Sequence, residues 1–114
     1  MTETFAARVA DQFYVAVADG RVVGTGMIDL ASGKIDAVFV APEYMGYGVG
    51  RALMQHLEGL AARAGLLGVH LEATINAVPF YRTMGFEEES EAIYESSLGV
   101  NLLCVAMTKK LQSD

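Results

Sequence analysis

The chain is poor in the residues that build several common kinds of site. Its 114 residues include a single cysteine, two prolines and no tryptophan. Cys104 alone cannot close an internal disulfide, and its position in an apolar run makes it a packing residue. The lack of a disulfide framework fits a reducing compartment, so a cytoplasmic location is expected. The two histidines, His56 and His70, have no cysteine or carboxylate set around them at metal-ligand spacing. No metal is expected, and His56 reads as a helix-surface residue. Basic residues are scarce, eight against fourteen acidic, for a formal net charge of -6. That balance argues against nucleic acid as a partner and suits a cationic small molecule. No apolar run approaches the roughly 20 residues needed to span a bilayer, so no membrane partner is expected. The opening MTETFAARVADQF has neither the basic start nor the continuous apolar stretch of a signal peptide. No repeat, low-complexity segment or linker interrupts the chain, so residues 1–114 read as one domain.

What the chain does have is apolar material: 53% of residues, against 19% charged, enough to bury a core. Residues 3–11 carry a weak helical pattern with Phe5, Ala6 and Val9 on one side. Residues 13–18 and 21–30 read as strands joined by Asp19-Gly20, a strong hairpin signal because a type I′ turn needs positive φ twice. A turn at 31–34 leads to a third strand at 35–40. After Pro42, Val49, Leu53, Leu57, Leu60 and Ala64 recur at helical spacing, and Gly65 is placed to stop the helix. Residues 67–73 read as a strand, so the helix becomes a βαβ crossover between parallel strands. A short helix over 76–84 follows, with Thr74 or Asn76 as cap and Pro79 in its first turn. Residues 86–94 and 100–108 form a last antiparallel pair. The expected fold is α/β, more fully a mixed α+β sheet: antiparallel meander, βαβ crossover, then C-terminal antiparallel strands.

The most informative segment runs Met45-Gly46-Tyr47-Gly48-Val49-Gly50-Arg51, between a strand and an amphipathic helix. Glycines there let backbone N–H groups converge at a helix N-terminus, where the dipole favours anions. A phosphate or pyrophosphate is the natural guest, and Arg51 adds positive charge. The alternative reading is a loop that only needs positive φ or tight packing. A dinucleotide fingerprint would need glycine where Arg51 stands, and a P-loop would need Gly-Lys-Ser/Thr.

This segment resembles the acyl-CoA-binding motif of the GNAT superfamily of N-acyltransferases, commonly Gln/Arg-x-x-Gly-x-Gly/Ala. Residues 74–86, Thr-Ile-Asn-Ala-Val-Pro-Phe-Tyr-Arg-Thr-Met-Gly-Phe, resemble the family's second motif, a short helix with a tyrosine shortly before Gly-Phe. The motifs stand in order at the usual separation, and with the meander the resemblance covers about residues 13–111. Met45 replaces the customary Gln or Arg, and Tyr47 stands where a basic residue is frequent. Thr74 stands where many relatives carry an asparagine that contacts the pantetheine arm. The resemblance implies acetyl-CoA as acyl donor, held by Met45, Gly46, Tyr47, Gly48, Val49, Gly50 and Arg51. It also implies that the strand before the loop splays from its parallel neighbour, so that the backbone of Val38, Phe39 and Val40 lies along the pantetheine and thioester. By the same resemblance Tyr81 lies beside the CoA sulfur. A phenol of pKa about 10 is matched to protonate a thiolate whose acid has pKa about 8.5.

Asp36 is a separate matter, because it interrupts an apolar strand where an unpaired buried carboxylate would be costly. Alternation sets it on the face of Val38 and Val40. It can accept a proton from an ammonium substrate or attract a cation; the other reading is a partly solvated strand-start residue. His70 and Glu72 share a face of the next strand and are secondary candidates. The acidic run Glu87 to Glu91 reads as a solvated edge, and Tyr14, Tyr44 and Tyr94 as packing residues. The implied function is an N-acetyltransferase working by direct attack of an amine in a ternary complex, with no covalent enzyme intermediate. A small-molecule or peptide amine is the acceptor class. The alternative is a non-catalytic module that binds or senses acyl-CoA. Few residues precede the hairpin, whereas the family usually has a strand and one or two helices there that wall the acceptor site. The expectation is an acceptor site open or completed by another subunit, hence a homodimer.

Overall fold

Four antiparallel strands open the fold: β1 (Thr4–Ala10), β2 (Phe13–Ala18), β3 (Arg21–Asp29) and β4 (Lys34–Val40). The computed structural model describes residues 4–10, 12–95 and 101–111, with side chains for 12–91 and 103–111. The helix expected over 3–11 is therefore corrected to strand β1. Its sequence alternates at Phe5, Ala7 and Val9 as readily as it follows a helical period, and so short a helix is marginal alone. Pairing with β2, from Thr4↔Ala18 to Ala10↔Phe13, gives those backbone groups a ladder instead. The hairpin between β2 and β3 is the expected one, with Ala18 opposite Arg21 and positive φ at Asp19 (53°) and Gly20 (75°).

One turn of 3-10 helix at Pro42–Tyr44 leads into the glycine loop and then α1 (Val49–Arg63). Val49, Leu53, Met54, Leu57 and Ala61 form its buried stripe. Full burial of Leu53, Met54 and Leu57 contributes about 1.5–3 kcal/mol each. The chain then forms β5 (Gly68–Thr74), α2 (Val78–Thr83), β6 (Glu87–Glu95) and β7 (Asn101–Lys110). The seven strands make one mixed sheet in the order β1-β2-β3-β4-β5-β7-β6. The connection through residues 96–99 and the Tyr94 side chain lie outside the described residues.

Both helices pack on the same face of the sheet. Met54 and Leu57 of α1 meet Ile28, Ile35 and Leu71 in the core that also holds Tyr81 and Met84 of α2. No described helix covers the opposite face, which presents His70, Glu72 and Thr108. Among the described residues no helix is long and apolar enough to cross a membrane.

Candidate active site

The site begins with a parting of the sheet. Parallel strands β4 and β5 share one register pair, Lys34↔His70, supported by a 3.0 Å bond from the His70 N–H to the Gly33 carbonyl. Beyond that pair the two strands separate. A bulge reinforces the split: Thr25 pairs Phe39 and Met27 pairs Asp36, so Gly26 alone stands against Ala37 and Val38. Ala37 takes the left-handed conformation (φ 54°), uncommon for a residue with a side chain. Its N–H donates to Asp36 Oδ1 at 2.8 Å, and its carbonyl accepts from Thr25 Oγ1 at 2.6 Å.

On the helix side of the parting, Gly48 caps α1 in the left-handed conformation (φ 83°), with no side-chain cap hydrogen bond and no acidic residue in the first turn. The first N–H groups of this 15-residue helix are thus left to a ligand or water. Arg51 in that turn opposes the helix dipole, an arrangement that becomes favourable when an anion sits between them. The loop, the end of β4 and the start of α2 enclose a groove of about 780 Å³. A Cβ on Gly50 would come within 3.1 Å of Phe80 Cζ, so glycine there lets α1 and α2 close the groove floor.

Tyr81 is held by the end of its own helix. The Phe86 N–H bonds the Tyr81 carbonyl and the Gly85 N–H that of Arg82, both at 3.0 Å, with Gly85 at φ 94°. This is a Schellman stop, and its accompanying apolar contact is the edge-on Tyr81–Phe86 pair at 5.7 Å. The spacing of tyrosine from Gly-Phe is therefore the spacing of a helix terminus. Phe80 meets the same ring edge-on at 5.1 Å. Tyr81 is 8% exposed, and burial pushes its hydroxyl above the usual tyrosine range, favouring the protonated form.

A second cleft, of about 310 Å³, opens on the other side of the parting between Asp36 and Glu72. The two clefts share Val38, Thr74, Ala77 and Tyr81 as walls, so they meet at the tyrosine. Lys34 and Glu72 form a 3.3 Å ion pair at the second cleft's rim. His70 stands in a neighbouring depression with Glu72 and Glu89.

The family model of the acetyltransferase (GNAT) domain matches residues 1–111. The chain belongs to that family. The uncharacterized N-acetyltransferase YjcF of Bacillus subtilis is 36% identical over 81 residues, covering 68% of this chain and 58% of its own. A GCN5-related N-acetyltransferase from Rhodopseudomonas palustris superposes with TM-score 0.82 at 30% identity, over 87% of this chain and 61% of that one. N-acetylglutamate synthase from Neisseria gonorrhoeae, solved with coenzyme A and N-acetyl-glutamate, shares the fold (TM-score 0.73, 19% identity), over 90% of this chain and 26% of that one. The chain spans about three-fifths of the length of the first two relatives.

Within this GNAT domain the groove gathers Val38, Phe39, Val40, Met45, Gly46, Gly48, Val49, Gly50, Arg51 and Thr74. Tyr47 is not among them: it is turned out, 60% exposed, and pairs with Tyr44 at 6.5 Å beside Asp19, Arg21 and Glu43. Asp36 is corrected in facing. The bulge inserts a residue, so Val38 and Val40 pack toward the core while Asp36 is exposed in the second cleft. Neither Thr74 nor Asn76 caps α2 by a side-chain bond; a 3-10 turn at Ile75–Ala77 intervenes and Ala77 is the cap. Tyr44, Asn76, Ala77 and Phe80 also wall the groove, and Lys34 and Cys104 the second cleft. The sequence signal for the groove floor lay in the pair Gly50 and Phe80, whose contact spans an intervening strand.

Proposed function

We propose that the chain transfers an acetyl group from acetyl-CoA to a primary amine by direct attack in a ternary complex. The observation carrying this reading is the meeting of two clefts at Tyr81. The groove suits acetyl-CoA: uncapped N–H groups of α1 and Arg51 can hold the pyrophosphate, and Val38, Phe39 and Phe80 can flank the pantetheine. Val49 contributes its backbone N–H at the start of α1, Thr74 a hydroxyl at the groove wall, and Met45 an apolar edge. Tyr47, outside the groove, is assigned no contact.

In this reading the amine enters through the second cleft, drawn by Asp36, whose Oδ2 is the oxygen not bonded to Ala37. The neutral amine attacks the thioester carbonyl, the C–N bond forms and the C–S bond breaks. Tyr81 gives its proton to the departing sulfur and recovers one from solvent. The ammonium gives one proton to Asp36 or water before attack, and the surplus proton on the newly bonded nitrogen follows the same route. Glu72, paired with Lys34, shapes the rim, and the acceptor is a small-molecule or peptide amine.

The test is mass-spectrometric detection of acetylated products over a panel of amines, with wild type beside Tyr81→Phe. Loss of the general acid should lower kcat by about a hundred- to ten-thousandfold while acetyl-CoA affinity holds. Equal turnover by both proteins would remove Tyr81 from the chemistry. Tight acetyl-CoA binding with no acetylated product in wild type would favour a module that only holds the thioester.

A further inference from the structure

We propose that Thr25, on the strand beside β4, is a positioning residue for the transfer, because it clamps the bulge that aims the β4 backbone at the junction of the two clefts. The inference rests on the acetyl-transfer reading and adds a residue to it from outside both clefts' walls. Ala37 sits in a conformation that a side chain disfavours, and such a residue persists only where its surroundings hold it. Two side chains supply that hold. Thr25 Oγ1 donates to the Ala37 carbonyl at 2.6 Å, and Asp36 Oδ1 accepts from the Ala37 N–H at 2.8 Å. Both backbone polar groups of Ala37, one in each of its flanking peptide units, are thus satisfied by side chains, in a place where neither β3 nor β5 offers Ala37 or Val38 a register partner.

The next residue, Val38, is the only member of β4 that walls both clefts. Its backbone direction follows from the φ and ψ of Ala37. A thioester lying at the junction meets that backbone, and an N–H aimed at a developing oxyanion acts only if it is aimed in advance. The clamp also divides the work of Asp36: one oxygen holds the bulge, which leaves the other to serve the cleft that the residue lines.

Thr25→Val keeps the branched shape and deletes the donor; Thr25→Ser keeps the donor and loses the methyl group. With its carbonyl released, Ala37 can relax from the left-handed conformation and its N–H can leave Asp36 Oδ1. Amide hydrogen exchange at Ala37 should therefore quicken by about two- to tenfold in Thr25→Val, the weight of one neutral hydrogen bond, and stay near wild type in Thr25→Ser. With acetyl-CoA affinity unchanged, kcat should fall by about ten- to a hundredfold in Thr25→Val, less than outright deletion of an oxyanion donor, and return in Thr25→Ser. Unchanged exchange in Thr25→Val overturns the clamp whatever the activity. Faster exchange with full kcat, or an equal fall in both variants, overturns the positioning role. A wild type that shows Thr25-dependent exchange but no turnover overturns the transfer reading and leaves the clamp standing.

Discussion

A tyrosine in water keeps its proton to about pH 10, and burial of Tyr81 pushes that limit higher. The acid form is therefore present throughout the neutral range, and kcat should show no loss from this group below about pH 10. A second titratable side chain behaves in the opposite sense. His56 packs edge-on against Tyr14 at 4.7 Å, its Nε2 is buried with no hydrogen-bond partner, and burial, then Arg63, lowers its pKa. A depressed histidine takes up more protons unfolded than folded. Its contribution to stability is thus present above about pH 6.5 and lost as pH falls through the folded value. His56→Phe should flatten the dependence of the urea midpoint between pH 7.5 and 5, leaving stability at pH 7.5 equal or higher; equal slopes in the two proteins would refute this. The sequence made His56 a surface residue, because helical spacing alone does not reveal that β2 brings an aromatic ring to that side. Tyr81, by contrast, was legible, since the residues that fix it belong to one helix end.

At the scale of elements, α1 lies on β3 at a distance set by two glycines. A Cβ on Gly24 would sit 2.9 Å from both the Phe39 carbonyl oxygen and Leu53 Cδ1, and one on Gly26 would sit 3.1 Å from Leu57 Cδ1. Backbone cannot yield as a side-chain tip can. Gly24→Ala should cost about 1–3 kcal/mol in urea unfolding, the range of an overpacked core, and a variant as stable as wild type would show that α1 has room to move. The turns and helix stops were readable because their chemistry is local: Asp19-Gly20 and Gly85-Phe86 carry their conformations with them. The sequence of β1 fits a helical and a strand period alike over its seven residues, and only a partner strand decides between them. The bulge at Ala37 left no mark in the sequence, since an alanine advertises neither positive φ nor a broken alternation.

Across the whole molecule, the sheet is two arms joined near the Lys34↔His70 pair, and α1 packs against strands of both. A half-buried 2.7 Å ion pair from Lys109 to Glu58 fastens α1 to β7 on the far arm. A ligand filling the groove would touch Val40 on one arm and Thr74 on the other, and so would brace the open end. Acetyl-CoA at about a hundred times its Kd should add roughly 2.7 kcal/mol and raise Tm by roughly 10 °C. No shift at that concentration would deny the groove its ligand. The antiparallel meander, crossover and closing strand pair were legible from periodicity and turns. The parting itself was legible only through family resemblance, because the divergence of two strands is a relation between distant segments. In the acetyl-transfer reading, that parting would give donor and acceptor separate entrances that share only the walls at Val38, Thr74, Ala77 and Tyr81. On that reading, exchange of Lys34 or Glu72, which line the second cleft and not the groove, would retune the acceptor side without disturbing the glycine loop.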